Sequence, residues 1–88
     1  MERENRMNPV KVLFFANLKD YTGVKSLDLE LPEGTKVREL TEQLIAAYPK
    51  LEIVRGSMVT AINRKYAGEE ELIPDKAEIA IFPPVSGG

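Results

Sequence analysis

An α+β fold is predicted, with a mixed sheet of about five strands laid over one main helix. Three observations lead there. The two most apolar stretches of the 88-residue chain, Val10 to Ala16 and Ala77 to Phe82, stand near its two ends. Only Lys36 to Tyr48 carries a long run of apolar residues at helical spacing. Shorter β-rich stretches fill the rest, giving the order β-β-α-β-β-β. Parallel neighbours need a long crossover, and the helix supplies one. The first and last strands are therefore expected side by side and parallel at the centre.

Met1 to Pro9 holds the polar run Glu2-Arg3-Glu4-Asn5-Arg6 and no apolar period, so residues 1–9 read as a disordered lead-in. The domain proper is expected over 10–82, with an extended tail over 83–88. In the first strand Val10, Val12 and Phe14 share one side and Leu13 and Phe15 the other. Asn17 to Gly23 breaks the run with turn residues. Ser26 to Leu31 then alternates, Leu27, Leu29 and Leu31 inward and Asp28 and Glu30 outward, which predicts a half-exposed strand paired to the first.

Pro32-Glu33-Gly34 is a turn, and Thr35 is the expected N-cap of the helix. Val37, Leu40, Leu44, Ile45 and Tyr48 form its inner stripe, while Arg38, Glu39, Glu42 and Gln43 cover the outside. Pro49 ends it. Leu51 to Arg55 is ambiguous between loop and a short helical turn. Met58 to Ile62 is the third strand, Asn63 to Lys65 a turn, and Tyr66-Ala67 the start of a short fourth. Gly68 to Asp75 is an acidic loop anchored by Leu72. In the last strand Ile79 and Ile81 point inward, Ala80 and Phe82 outward. This order describes a β-grasp; one helix is too few for a ferredoxin-like sandwich.

Composition excludes several classes of function. There is no cysteine and no histidine, so this chain offers no thiol nucleophile, no imidazole base and no Cys or His metal site. A net charge of −2 argues against phosphate-neutralising nucleic-acid binding. No apolar run approaches the ~18 residues of a membrane span. A cytoplasmic protein is expected, with no membrane and no nucleic-acid partner. Gly23-Val24-Lys25-Ser26 lacks the upstream glycine of a phosphate loop. Glu69-Glu70-Glu71 lacks the alternating ligands of a calcium loop and reads as solvated. No metal residues are expected.

The ending, Pro83-Pro84-Val85-Ser86-Gly87-Gly88, is unusual for a compact domain. Two prolines stop the sheet at Phe82 by removing backbone donors. Two glycines bring no side chain to bury. The tail could reach roughly 18–20 Å. Two readings stand: a frayed terminus, or a carboxylate threaded into another protein's active site.

The stretches KVLFFANLKDYTG, LPEGTKVRELTEQL, TAINRKY and AEIAIFPPVSGG resemble the small subunit of molybdopterin synthase, the MoaD-type sulfur carrier of the ubiquitin-like β-grasp superfamily that also holds ThiS. The similarity covers about Val10 to Gly88. Phe14-Phe15-Ala16 and the Phe82 to Gly88 ending are its most specific parts. Thiazole-pathway carriers share the fold and the Gly-Gly end, but they usually lack the paired phenylalanines and the Pro-Pro stalk.

The resemblance implies a chemistry for the tail. An ATP-using, MoeB-type adenylyltransferase would adenylate the Gly88 carboxylate, a sulfur-donating enzyme would supply the sulfur of a covalent thiocarboxylate, and Gly87 would give clearance. The terminus would then enter a large, MoaE-type subunit and donate sulfur to cyclic pyranopterin monophosphate. No cofactor would be bound by this chain, whose role would be non-catalytic. Leu13, Phe15 and Phe82 fall outward by strand parity, and Tyr66 joins them across the sheet. With Pro83, Pro84 and Val85 they are the expected partner-binding residues; the plainer alternative is scattered exposed apolar residues or a face covered by another element. Lys19 pairs with a partner carboxylate or is simply solvated. Runner-up functions are a ubiquitin-like modifier joined to lysines through Gly88, a carrier for thiazole synthesis, or an interaction module with an idle tail.

Overall fold

The computed structural model describes residues 6–83. In chain order these form β1 (Met7–Phe14), α1 (Leu18–Thr22), β2 (Ser26–Pro32), α2 (Val37–Ala47), a 3₁₀ turn (Pro49–Val54), β3 (Val59–Ile62), β4 (Lys65–Ala67) and β5 (Glu78–Phe82). The sheet runs β2-β1-β5-β3-β4. β1 and β5 are parallel neighbours at its centre, and the other pairs are antiparallel. This is the β-grasp arrangement, with α2 as the crossover. Among the described residues no helix is long and apolar enough to cross a membrane.

The core lies between α2 and one face of the sheet. Val10, Val12 and Phe14 of β1 and Ile79 and Ile81 of β5 are buried there with Val37, Leu40, Leu44 and Ile45 of α2. Each such side chain contributes roughly 1.5–3 kcal/mol by leaving water. Leu27 and Leu29 of β2 are half-buried against the same cluster. Tyr48 closes the end of α2 by meeting the Phe14 ring edge-on, centroids 6.2 Å apart.

Four expectations are corrected. First, β1 begins at Met7, not Val10, so Met7 to Pro9 are ordered strand instead of disordered lead-in. Met7, Asn8 and Pro9 pair with Pro32, Leu31 and Glu30, an extension that only β2 makes possible. Pro9 is tolerated because its ring nitrogen faces the side where β5 has not begun. On that side the Pro9 carbonyl accepts the Lys76 N–H at 2.8 Å.

Second, the segment read as a plain turn holds the short helix α1, with Leu18 fully buried. Gly23 ends it in the left-handed region, φ 80°. Third, Lys36 and not Thr35 is the N-cap of α2. Thr35 is itself buried and donates its hydroxyl to the Pro32 carbonyl at 2.6 Å. The Glu39 carboxylate accepts the Lys36 N–H at 2.8 Å. The free amides of Val37 and Arg38 donate to the carbonyls of Glu71 and Glu69, both at 3.0 Å.

Fourth, Ile73 anchors the acidic loop, at 4% exposure, while Leu72 stands 59% exposed. The Ile73 N–H bonds the Thr35 carbonyl at 2.9 Å, and this fixes which of the two apolar neighbours turns inward. The stretch Leu51 to Arg55, open in sequence between loop and a short helical turn, takes the second form: it lies within or beside a 3₁₀ turn that buries Leu51 completely.

Candidate docking site

The face of the sheet opposite α2 is built by register. Leu13 pairs with Ala80, and Ala80 with Ala61, which in turn faces Tyr66 on β4. Residues paired directly across strands share a face, so Leu13, Ala80, Ala61 and Tyr66 all point away from the helix. Phe82 is opposite Val59 on the same face. Phe15 follows β1, and its N–H reaches the Ile81 carbonyl at 3.0 Å, which carries the parallel ladder one step further.

Immediately after Phe15 the chain leaves the sheet. Ala16 adopts φ 54°, and the Leu18 N–H returns to the Phe15 carbonyl at 3.2 Å to open α1. With its backbone held at both ends, the Phe15 ring lies flat on Phe82. Their centroids are 4.9 Å apart and the planes 15° from parallel. The two alanines make a shallow floor, and the stacked rings and Tyr66 stand as walls around it. Phe15 is 41% exposed and Tyr66 81%. Arg64 and Glu78 border this groove, while Lys19 and Lys25 border its neighbour beside Leu13 and Phe15.

The structure therefore brings Leu13, Phe15, Tyr66 and Phe82 together around one groove. Pro83 is half-buried directly after Phe82; Pro84, Val85, Gly87 and Gly88 lie outside the described residues. The sequence reading placed Ala80 outward but assigned neither it nor Ala61 or Arg64 to the groove. Parity along β3 and β5 carried the signal for Ala61 and Ala80. Arg64 carried none, because a turn residue has no parity.

Groups with displaced pKa values lie elsewhere. Hydrogen bonds from Arg55, with its charge, hold Glu42 and Glu52 below the ordinary glutamate range and push Arg55 itself up. Arg55 Nε meets Glu52 at 2.9 Å, and its Nη1 reaches Glu42 on α2. Glu70 is lowered by the hydrogen bond from Lys36 and by the charges of Arg38 and Lys36. Glu70 thus serves as an ion-pair partner at the start of α2, at 3.0 Å from Lys36 and 2.9 Å from Arg38. Among the described residues no group of three or more acidic, His or Cys side chains is placed to hold a metal. The face is apolar and partly exposed, and its described side chains form no acid–base or nucleophile pair.

Comparison with known proteins agrees with this architecture. A family model described as the ThiS family matches residues 12–88. A molybdopterin synthase sulfur carrier subunit from Chlamydomonas reinhardtii is 40% identical, covering 90% of this chain and 98% of the relative. One of the same name from Arabidopsis thaliana is 38% identical, covering 90% and 82%. Among solved structures, a putative molybdopterin converting factor subunit 1 from Pyrococcus furiosus superposes with a TM-score of 0.80 at 31% identity, covering 89% and 99%. The small archaeal modifier protein 1 from Methanosarcina acetivorans gives 0.76 at 35%, covering 94% and 99%. The parallel β1–β5 pair, the single crossover helix and these relatives point the same way: the chain belongs to the ThiS family, among relatives named molybdopterin synthase sulfur carrier subunit.

Proposed function

We propose that this chain is the sulfur carrier subunit of a molybdopterin synthase and works through its own terminus. The observation that carries the reading is the near full-length likeness, at 38% and 40% identity, to relatives of that name. The groove at the root of the tail supports it, since a carrier must dock while its end is worked on elsewhere.

The chemistry explains the division of labour. A free carboxylate is a poor acyl electrophile. Attack of a Gly88 oxygen on the α-phosphorus of ATP, in a MoeB-type adenylyltransferase, expels pyrophosphate and leaves an acyl-adenylate. Sulfide-level sulfur (a hydrosulfide equivalent) supplied by a separate enzyme attacks that carbonyl, AMP departs, and a thiocarboxylate remains. The large, MoaE-type subunit then receives the tail, and the thiocarboxylate sulfur bonds to a carbon of cyclic pyranopterin monophosphate. Water cleaves the acyl–sulfur bond, which restores the Gly88 carboxylate. Gly87 and Gly88 leave the reacting carbonyl unencumbered, while Pro83, Pro84 and Val85 serve as the stalk. Acids, bases and phosphate clamps belong to the partners, in keeping with a chain without histidine or cysteine.

A second reading is a protein modifier, joined through Gly88 to lysines of other proteins. The likeness to a small archaeal modifier protein at 35% identity favours it. Intact-mass measurement after incubation of the full chain with ATP, an activating enzyme and a sulfur source separates the two. The carrier reading expects the mass gained when one sulfur replaces one oxygen, followed by sulfur transfer when the large subunit and pterin precursor are added. Lysine-linked adducts would establish the modifier instead. An unchanged mass would refute both.

A further inference from the structure

The turn joining β3 to β4 has two residues, Asn63 and Arg64, because Ile62 pairs with Lys65. Both have positive φ, 50° and 74°, as tight hairpin turns of this twist require. Asn63 suits the left-handed region, and it is tied down: its N–H donates to the Glu78 carbonyl and its Oδ1 accepts the Glu78 N–H, both at 2.9 Å. Arg64 is a different matter. Glycine is the strain-free residue at the second position, and a long side chain there is held against a backbone cost. Such a strained position is informative when the side chain has somewhere to go.

Here it does. Arg64 borders the groove walled by Phe82 and Tyr66. It forms no ion pair with any described residue, the groove-lining Glu78 included, whereas the other described arginines, Arg6, Arg38 and Arg55, all do. On the far side of the stacked rings Lys19 and Lys25 are also without an ion pair among the described residues. Among the described residues Glu78 is the single acid lining these two grooves. In a chain of net charge −2, the unpaired cations bordering these two grooves complement an acidic surface.

We propose that Arg64 is a recognition residue: its left-handed turn holds the guanidinium at the rim of the aromatic groove, where it pairs with a carboxylate on the protein that docks there. The inference rests on the reading of this face as the docking site for the large subunit. A planar guanidinium suits a carboxylate because it can donate two parallel N–H bonds. Closing the apolar groove around the pair removes water and strengthens it. Lys19 and Lys25 meet the opposite margin of the same acidic ring.

The test compares Arg64→Gly and Arg64→Glu with the wild type, reading thermal melting and titration of the large subunit from the same organism at low and high salt. Relief of backbone strain should raise the melting temperature of Arg64→Gly by about 2–6 °C. Loss of the charge-assisted bonds should weaken its binding about 5- to 20-fold at low salt. Arg64→Glu should bind more weakly still, and high salt should narrow both gaps. A more stable yet weaker-binding Arg64→Gly is an outcome that a purely structural role does not produce. If Arg64→Gly binds as tightly as the wild type with the same salt dependence, the inference is refuted while the docking reading stands. If the wild-type chain does not bind the large subunit, the docking reading fails and takes the inference with it. Salt-sensitive binding of this face to single-stranded RNA, lost in Arg64→Glu, would replace the acidic protein partner.

Discussion

Phe15 and Phe82 come from opposite ends of the chain and stack at 4.9 Å on the sheet face that α2 does not cover. A stacked aromatic pair left at the surface is unusual: the same rings would contribute more to stability if buried. Their position is set by the parallel β1–β5 ladder, the longest-range pairing in the fold. Because β5 leads straight into the tail, whatever grips these rings also fixes where the tail begins. In the proposed function, recognition and presentation of the terminus would thereby be coupled.

Phe15→Arg should bind the large subunit at least about tenfold more weakly, because buried aromatic anchors carry most interface energy. Its stability should fall by only about 1 kcal/mol or less, since the ring is already 41% exposed. Phe82→Ala should cost about 1–2 kcal/mol by removing the stack and part of the β5 packing. Thermal melting and calorimetric titration read the two effects separately. Undiminished binding by Phe15→Arg would rule out the groove as the docking site.

Leu18→Ala should destabilise the domain by about 2–4 kcal/mol, because a fully buried leucine leaves a cavity when truncated. Lys19→Ala, on the same short helix but exposed, should stay within about 0.5 kcal/mol. Urea unfolding of the two variants measures the contrast. Equal, small effects would mean that α1 is not packed as described.

The Arg55 cluster should make stability depend on pH. Hydrogen bonds from Arg55 depress the folded-state pKa of Glu42 and Glu52 below 4.5. A carboxylate depressed on folding stabilises above its unfolded pKa, and that stability disappears as pH falls through the folded value. The wild type should therefore be more stable than Arg55→Ala at neutral pH, and the gap should close below about pH 4. Added salt should shrink it as well, because the three side chains are largely solvated. Urea midpoints at pH 7 and pH 3 provide the check. A gap that persists at pH 3 would show that Arg55 acts through packing instead.

Much of this architecture is legible in local periodicity. Val10, Val12 and Phe14 alternate with Leu13 and Phe15, so the inner and outer faces of β1 follow from the pleat alone. The inward Ile79 and Ile81 and the outward Phe82 follow in the same way. The stripe Val37, Leu40, Leu44 predicts the buried side of α2. The same parity places three of the four groove residues, and Tyr66 follows from a hairpin whose turn residues are visible.

What escaped depends on contacts between segments remote in sequence. Leu72 and Ile73 are adjacent and equally apolar; the hydrogen bond from Ile73 to Thr35 decides which is buried. Thr35 has the chemistry of a cap, but the chain places its hydroxyl on Pro32 and leaves α2 to be capped by a loop more than thirty residues away in sequence. Met7 to Pro9 become strand because β2 supplies partners, something no reading of a polar lead-in reveals. Arg64 is the sharpest case: as a turn residue it has no face until β3 and β4 are folded back on β5. The residue sequence determines which side chains point up or down within a strand, because the pleat is local. Only the assembled sheet decides which of them stand together, because that is settled by register and by the backbone bonds that segments distant in sequence offer one another.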